Sequence, residues 1–209
     1  RKESVSMADP HLLRSAAAAT ASPMTFGDCV TISERQGLAL ATLQTRRGQE
    51  AALRQRVRQH FLVELPARPA IVRAENIAFV GLGPQTWLAM GETDVQRFSG
   101  SLKTQVSTLA SVSDQSGGYV VFRIGGDAVR RTLAKGFPID LDPRVFGVDD
   151  AASTIVSHIG VTIWRRDDTA SGSPCFEISL FRSLAESFLD WFVESAAEFG
   201  SRHDNARTR

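Results

Sequence analysis

Apolar and polar residues alternate in this chain in paired runs, and most pairs are followed by a stretch of helical periodicity. That interleaving limits the fold class more than any other feature. Val30 and Ile32, then Leu38, Leu40 and Thr42, keep a period of two and predict two strands joined as a hairpin across residues 34–37. Residues 48–61 follow as a helix, with Ala52, Leu53, Val57 and Phe61 as its apolar stripe and Arg54, Arg56 and Arg58 largely outside it. Residues 76–81 and 86–90 form the next strand pair, divided by Gly83-Pro84. Thr93 then caps a helix reaching Leu109, whose stripe of Val95, Phe98, Leu102, Val106 and Leu109 has spacings of 3, 4, 4 and 3.

The pattern repeats through the second half. Residues 111–115 and 119–124 flank the Gly117-Gly118 turn, and a short helix over 127–135 stops at Gly136, read as a left-handed terminator. Strands are predicted at 154–159, 161–165 and 176–181, separated by Gly160 and by a polar loop at 167–174. Ser183 with Glu186 forms a capping box opening a last helix to Phe199, with Leu184, Phe188, Trp191, Phe192 and Ala196 facing inward. About eight strands in mainly antiparallel pairs, with about four helices inserted between them, give an α+β fold; a doubly wound parallel sheet would alternate single strands with helices. Residues 1–24 read as an N-terminal arm, 25–200 as a single α+β domain with a subdomain split near 110 as the alternative, and 201–209 as a polar tail.

Composition narrows the function classes. Apolar content of 43% and charged content of 22% suit a globular domain, and a net charge of +1 disfavours a strongly basic nucleic-acid binder. No stretch approaches 18 apolar residues, so no membrane span is predicted. Asp9, Pro10 and Arg14 interrupt the Ala-rich start, which argues against a secretory signal; a cytoplasmic location is expected. Cys29 and Cys175 have no neighbouring Cys or His and read as free thiols of a reducing compartment.

Chemical motifs are weak. Gly81-Leu82-Gly83-Pro84 follows a strand, but the third glycine of a dinucleotide loop would fall at Thr86, and Pro84 lacks an amide the phosphate would use, so a turn is expected. His11, His60, His158 and His203 are scattered, with His60 ending a helix and His158 inside a strand, and no nucleophile–base pairing is suggested. Asp114-Gln115-Ser116 reads as an Asx-type turn. Asp149-Asp150 and Asp167-Asp168 read as solvated loop carboxylates without the spaced oxygen ligands of a calcium loop. No catalytic, cofactor-binding or metal residue is therefore assigned. Of 24 basic residues only Lys2, Lys103 and Lys135 are lysines, and seven arginines between Arg46 and Arg73 face only Glu50 and Glu64. Four aspartates between Ile139 and Asp150 face only Arg144, so two patches of opposite sign suit docking to a complementary protein surface.

Several blocks together resemble a known family. "GLALATLQTRRGQEAALRQRVRQHF" from Gly37, "LPARP", "FVGLGPQTWLAM" around Trp87, "SVSDQSGGYVVFRIGGDAVRRTLAKGFPIDLDPRVF" from Ser111, "VTIWRRD" and "FEISLFRSLAESFLDWFVESAAEFG" are similar to the γ subunit of heterotetrameric sarcosine oxidase. Gly117 departs from the pattern, in which a histidine is expected in many relatives. The resemblance implies a fold like the folate-binding domain of the glycine-cleavage aminomethyltransferase. It also implies a non-catalytic small subunit of an αβγδ complex that oxidatively demethylates sarcosine to glycine with oxygen as acceptor, yielding hydrogen peroxide and passing a one-carbon unit to tetrahydrofolate. In that family FAD, covalent FMN, NAD and the tetrahydrofolate site lie on α and β and zinc on δ, so no cofactor is expected on this chain. The implied partners are the α, β and δ subunits, with direct contact to α, and neither nucleic acid nor membrane. The alternative is a free-standing folate-binding or folate-dependent one-carbon transfer protein.

Overall fold

The computed structural model describes residues 23–200; most of the arm, with His11, and all of the tail, with His203, lie outside the described residues. The strands are β1 (Met24–Phe26), β2 (Val30–Glu34), β3 (Ala39–Thr45), β4 (Ile71–Arg73), β5 (Ala78–Gly83), β6 (Thr86–Gly91), β7 (Ala110–Asp114), β8 (Tyr119–Gly125), β9 (Ala151–Val156), β10 (Ile159–Arg166) and β11 (Cys175–Phe181). The helices, numbered here α1 to α4, are Glu50–Phe61, Val95–Val106, Val129–Ala134 and Ala185–Gly200. A first sheet runs in the order β1-β2-β8-β11-β10-β9 and a second in the order β4-β5-β6-β3-β7, with every pairing antiparallel. The chain is thus α+β, as its sequence pattern predicts.

Strand alternation builds the layers. In β8 and β11 the even positions Val120, Phe122, Ile124, Phe176, Ile178 and Leu180 turn outward and bury against Val129, Leu133, Phe188 and Phe192 of α3 and α4. On the second sheet Ala41, Leu43, Phe79, Trp87 and Ala89 bury against Leu53, Val57, Phe98, Leu102 and Val106 of α1 and α2. The opposite faces meet in a smaller third core, where Leu40, Ile71, Val80 and Leu88 pack with Val121, Ala151 and Trp164. The order is helices, sheet, sheet, helices. Two edges are stitched: Ile71 N donates to Asp149 O at 2.8 Å and Ala151 N to Pro69 O at 3.3 Å, joining β4 to the start of β9.

Local proximity misleads at two expected hairpins. β2 does not pair with β3, nor β7 with β8; in each case the chain crosses between sheets. β3 instead lies between β6 and β7, where Ala39, Ala41 and Leu43 are sealed by helices on one side and Leu40 by the first sheet on the other. Burial on both faces outweighs the short loop. Two other hairpins form with two-residue loops: Pro84-Gln85 joins β5 to β6 with φ of 56° at Gln85, and Ser157-His158 joins β9 to β10 with φ of 45° and 69°. Positive φ at both loop residues is the geometry that follows strand twist. The turn thus falls before Gly160, and His158 sits in it rather than inside a strand.

Helix ends also differ from their sequence signals. Asp94, not Thr93, caps α2, accepting from Gln96 N at 3.0 Å, and a 3-10 turn, Ser107–Leu109, follows the helix. Ser183 makes no capping bond; a 3-10 turn, Arg182–Leu184, leads into α4. Gly136 is not left-handed. A Cβ there would lie 2.6 Å from the Trp191 ring, so space rather than backbone freedom selects glycine. Gly126, at φ of 122°, is required on both counts, since a Cβ would meet Cys29 O at 2.2 Å. Ala52, assigned to the α1 stripe, is exposed, and Trp191 is only partly buried. Among the described residues no helix is long and apolar enough to cross a membrane.

Candidate functional site: an arginine-lined cleft between the sheets

The inward face of the first sheet is unusually polar. Cross-strand register places Ser33, Arg123, Glu177, Trp164 and Ala151 in one row across β2, β8, β11, β10 and β9. Glu177 is central to that row, and its side chain is 1% exposed. A buried carboxylate is tolerated only with compensating donors, and here they come from four directions. Arg123 gives Glu177 Oε1 a bidentate contact through Nε at 3.0 Å and Nη2 at 2.7 Å. Arg35, just after β2, donates to the same oxygen and also to exposed Glu92. Trp164 Nε1 donates to Oε2 at 2.9 Å, and Arg166 Nη1 stands 3.7 Å from Oε2.

Burial by itself would raise the Glu177 pKa, but the Arg35, Arg166 and Arg123 guanidiniums outweigh it and hold the carboxyl below its ordinary value. Arg166 is lowered, first by its own burial and then by Arg73, Arg123 and Arg35, with only Glu177 pulling the other way. Where the sheets part beside this row they leave a cleft of about 330 Å³, lined by Arg35, Arg73, Arg166 and Glu177 and by the apolar Leu38, Ile77, Ala78 and Met90. Arg73, ending β4, lies 2.6 Å from Asp149 Oδ1 without the alignment of a hydrogen bond, and its buried Nε has no hydrogen-bond partner.

An ionised, multiply bonded carboxylate such as Glu177 is a poor proton acceptor. Cys175 is no better as a nucleophile, since burial pushes its thiol pKa up. Among the described residues no three of His, Cys, Asp and Glu gather as metal ligands would. The arrangement is suited to holding negative charge, not to moving protons.

The motifs singled out in the sequence lie elsewhere. Gly81 to Pro84 ends β5 at its hairpin, and no helix start follows, because β6 begins at Thr86. Asp114 Oδ1 accepts from Ser116 N at 2.8 Å, the expected Asx turn. His60 is exposed at the end of α1 against Phe61. Cys29 and Cys175 are free. The loop aspartates are not simply solvated: Asp150 pairs with Arg68 at 2.5 Å, Asp149 with Arg73, and Asp168 with Arg165 at 2.8 Å. The acidic and basic patches therefore meet in part within this chain. None of the cleft residues was marked by a sequence motif; the available signal was charge inside apolar strands, at Glu177 in β11 and its cross-strand partner Arg123 in β8.

The profile of the sarcosine oxidase, gamma subunit family matches residues 46–198, well over half of the chain. The chain belongs to that family. Among curated relatives, the sarcosine oxidase subunit gamma of Corynebacterium sp. (strain P-1) is 29% identical over 139 residues, 66% of each chain. That of an Arthrobacter species is 30% identical over 132 residues, 61% of each chain. The matched stretch thus spans just under two thirds of the length of these sarcosine oxidase gamma relatives. A chain of the heterotetrameric sarcosine oxidase from Corynebacterium sp. U-96, solved with pyrrole 2-carboxylate, superimposes with a TM-score of 0.72 at 26% identity, covering 90% of this chain and 94% of that one. Aminomethyltransferase T of the glycine cleavage system from Bartonella henselae shares the fold alone, with a TM-score of 0.57 at 11% identity over 82% of this chain and 50% of that one.

Proposed function

We propose that this chain is the non-catalytic γ subunit of a heterotetrameric sarcosine oxidase, in direct contact with the α subunit. The supporting observation is the near full-length structural match to one chain of such a heterotetramer, 90% of this chain against 94% of that one. The site chemistry agrees with an accessory role, because Glu177 is neutralised by arginines and the Cys175 thiol is held protonated. In this reading the assembled enzyme oxidatively demethylates sarcosine to glycine with oxygen as acceptor, releases hydrogen peroxide and passes the one-carbon unit to tetrahydrofolate. FAD, FMN and NAD sit on the α and β subunits and zinc on δ, and the complex works in the cytoplasm. The γ chain contributes surface, not reacting groups.

Co-expression with the large subunit followed by size-exclusion chromatography tests this. The chain should co-elute with its partner, and alone it should be colourless and leave sarcosine unoxidised. A chain that elutes alone, and whose Trp87, Trp164 and Trp191 fluorescence responds saturably to tetrahydrofolate, would overturn the reading in favour of a free-standing folate-binding protein.

A further inference from the structure

Three guanidiniums line the cleft between the sheets, and of its lining carboxylates only Glu177 is buried. Arg35, Arg73 and Arg166 line it, Arg123 reaches only Glu177, and Glu177 is the one carboxylate buried among them; Glu92, Asp149 and Asp167 approach from more exposed positions, and Glu75 is exposed at the edge. Arg35 and Arg123 are used up on Glu177 and Glu92. Arg166 is not: its nearest carboxylate oxygen is 3.7 Å away, its guanidinium makes no hydrogen bond among the described residues, and its side chain is 28% exposed. Arg73 also lines the cavity; it is ion-paired with Asp149 at 2.6 Å and Asp167 at 3.7 Å, and its buried Nε and Nη2 make no hydrogen bond. A guanidinium carries five N–H donors in a planar fork that matches a carboxylate. Arg166 therefore presents such a fork with unused donors to the cavity, with the Arg73 cation lining the same cavity.

The rest of the cavity is apolar. Leu38, Ile77, Ala78 and Met90 supply its hydrocarbon surface, and its volume of about 330 Å³ falls within the range of small-molecule sites, about 300–1,000 Å³. We propose that this cleft binds a small organic carboxylate whose charged end lies against Arg166 and Arg73 and whose apolar body lies against Ala78 and Met90. The exposed carboxylates Glu75, Glu92 and Asp167 do not cancel this preference, because solvent screens them while the arginines lie deeper. Burial, and then the nearby Arg73, Arg123 and Arg35 guanidiniums, lower the Arg166 pKa, and a bound anion would oppose that. Every residue invoked belongs to this chain, so the site stands apart from the question of assembly.

Isothermal titration of the purified full chain with benzoate and with benzamide, its uncharged counterpart of the same shape, tests the proposal. Benzoate should bind with one-to-one stoichiometry and benzamide at least about tenfold more weakly, the factor of one charge-assisted hydrogen bond. Arg166→Gln should weaken benzoate about tenfold or more while the circular dichroism spectrum stays that of the parent. Arg166→Lys, which keeps the charge but not the fork, should weaken it less. If Arg166→Gln fails to fold, Arg73→Gln carries the same expectation, and the benzoate–benzamide comparison on the parent chain decides by itself. Equal affinity for the two probes, no binding of benzoate, or undiminished affinity in a folded Arg166→Gln variant would overturn the site.

Discussion

Glu177 places an ionised carboxylate in the interior, with its side chain 1% exposed. Its carboxylate is removed from water and held by Arg35, Arg123 and Trp164, with Arg166 nearby. Removing one partner of a buried ion pair leaves the other charge uncompensated, at a cost of about 3–5 kcal/mol. Glu177→Gln should therefore lower stability by about that amount at neutral pH, with the arginines repelling one another around a neutral amide. The pH dependence follows from the direction of the shift. Glu177 is held below its ordinary value of 4.5, so its contribution is present above that pH and is lost as pH falls through the lower folded-state value. Denaturant midpoints between pH 7 and pH 3 should fall more steeply for the parent than for Glu177→Gln. Parallel curves would show that the carboxylate is not ionised in the folded chain. The sequence held only a faint trace of this site. A glutamate between Phe176 and Ile178 is out of place on a buried strand, but its partners Arg123 and Arg35 are 54 and 142 positions away, beyond any local spacing rule.

Elements were legible in proportion to their length and to how far burial is local. α1, α2 and α4 were read from their stripes because a 3.6-residue period repeats several times over 12 or 16 residues. β1 and β4, of three residues each, escaped because no period can be seen in so few positions. The false β2–β3 and β7–β8 hairpins failed for another reason: the choice of partner strand depends on which face meets which helices, a non-local matter that no local pattern encodes. α4 shows both outcomes. Phe188 and Phe192 are buried as the stripe predicts, Phe188 stacking on Phe122 at 5.5 Å and Phe192 meeting Phe26 edge-on at 5.9 Å. Phe192→Ala should cost about 3–5 kcal/mol in urea denaturation. Ser183→Ala should change stability by less than about 0.5 kcal/mol, the size of an ordinary surface change, because no capping bond is there to lose. A Ser183→Ala loss near that of a true cap, about 1 kcal/mol, would mean the capping box forms in solution after all.

At the scale of the whole molecule, the charge asymmetry that first pointed to a docking face is mostly consumed inside the chain. Arg54 pairs with Glu50, donates to Leu65 O and lies over the Trp87 ring; Arg58 pairs with Glu64, Arg68 with Asp150 and Arg73 with Asp149. Arg56 donates to Gln105 O. Arg54 in particular is part of the packing of α1 against the second sheet, so reversing it would test the fold rather than the surface. What remains is Arg46 and Arg47, both exposed in the turn between β3 and α1, with side chains that form no ion pair among the described residues. Arginine is the charged residue enriched at interfaces, and an exposed pair without internal ion-pair partners is placed to meet carboxylates of a larger subunit. Arg46→Glu with Arg47→Glu should leave the denaturation midpoint of the chain within about 0.5 kcal/mol of the parent, since nothing internal is removed. Assembly with the large subunit should weaken, measured as the fraction of chain co-eluting with it. Rim charges act through screened Coulomb forces, so the defect should be largest at low salt and shrink as the Debye length falls from about 10 Å at 0.1 M to about 3 Å at 1 M. An unchanged co-eluting fraction at low salt would show that this turn is merely solvated, and the docking face would then have to be sought on the apolar surface around Phe181 and Ile155, which are 52% and 56% exposed.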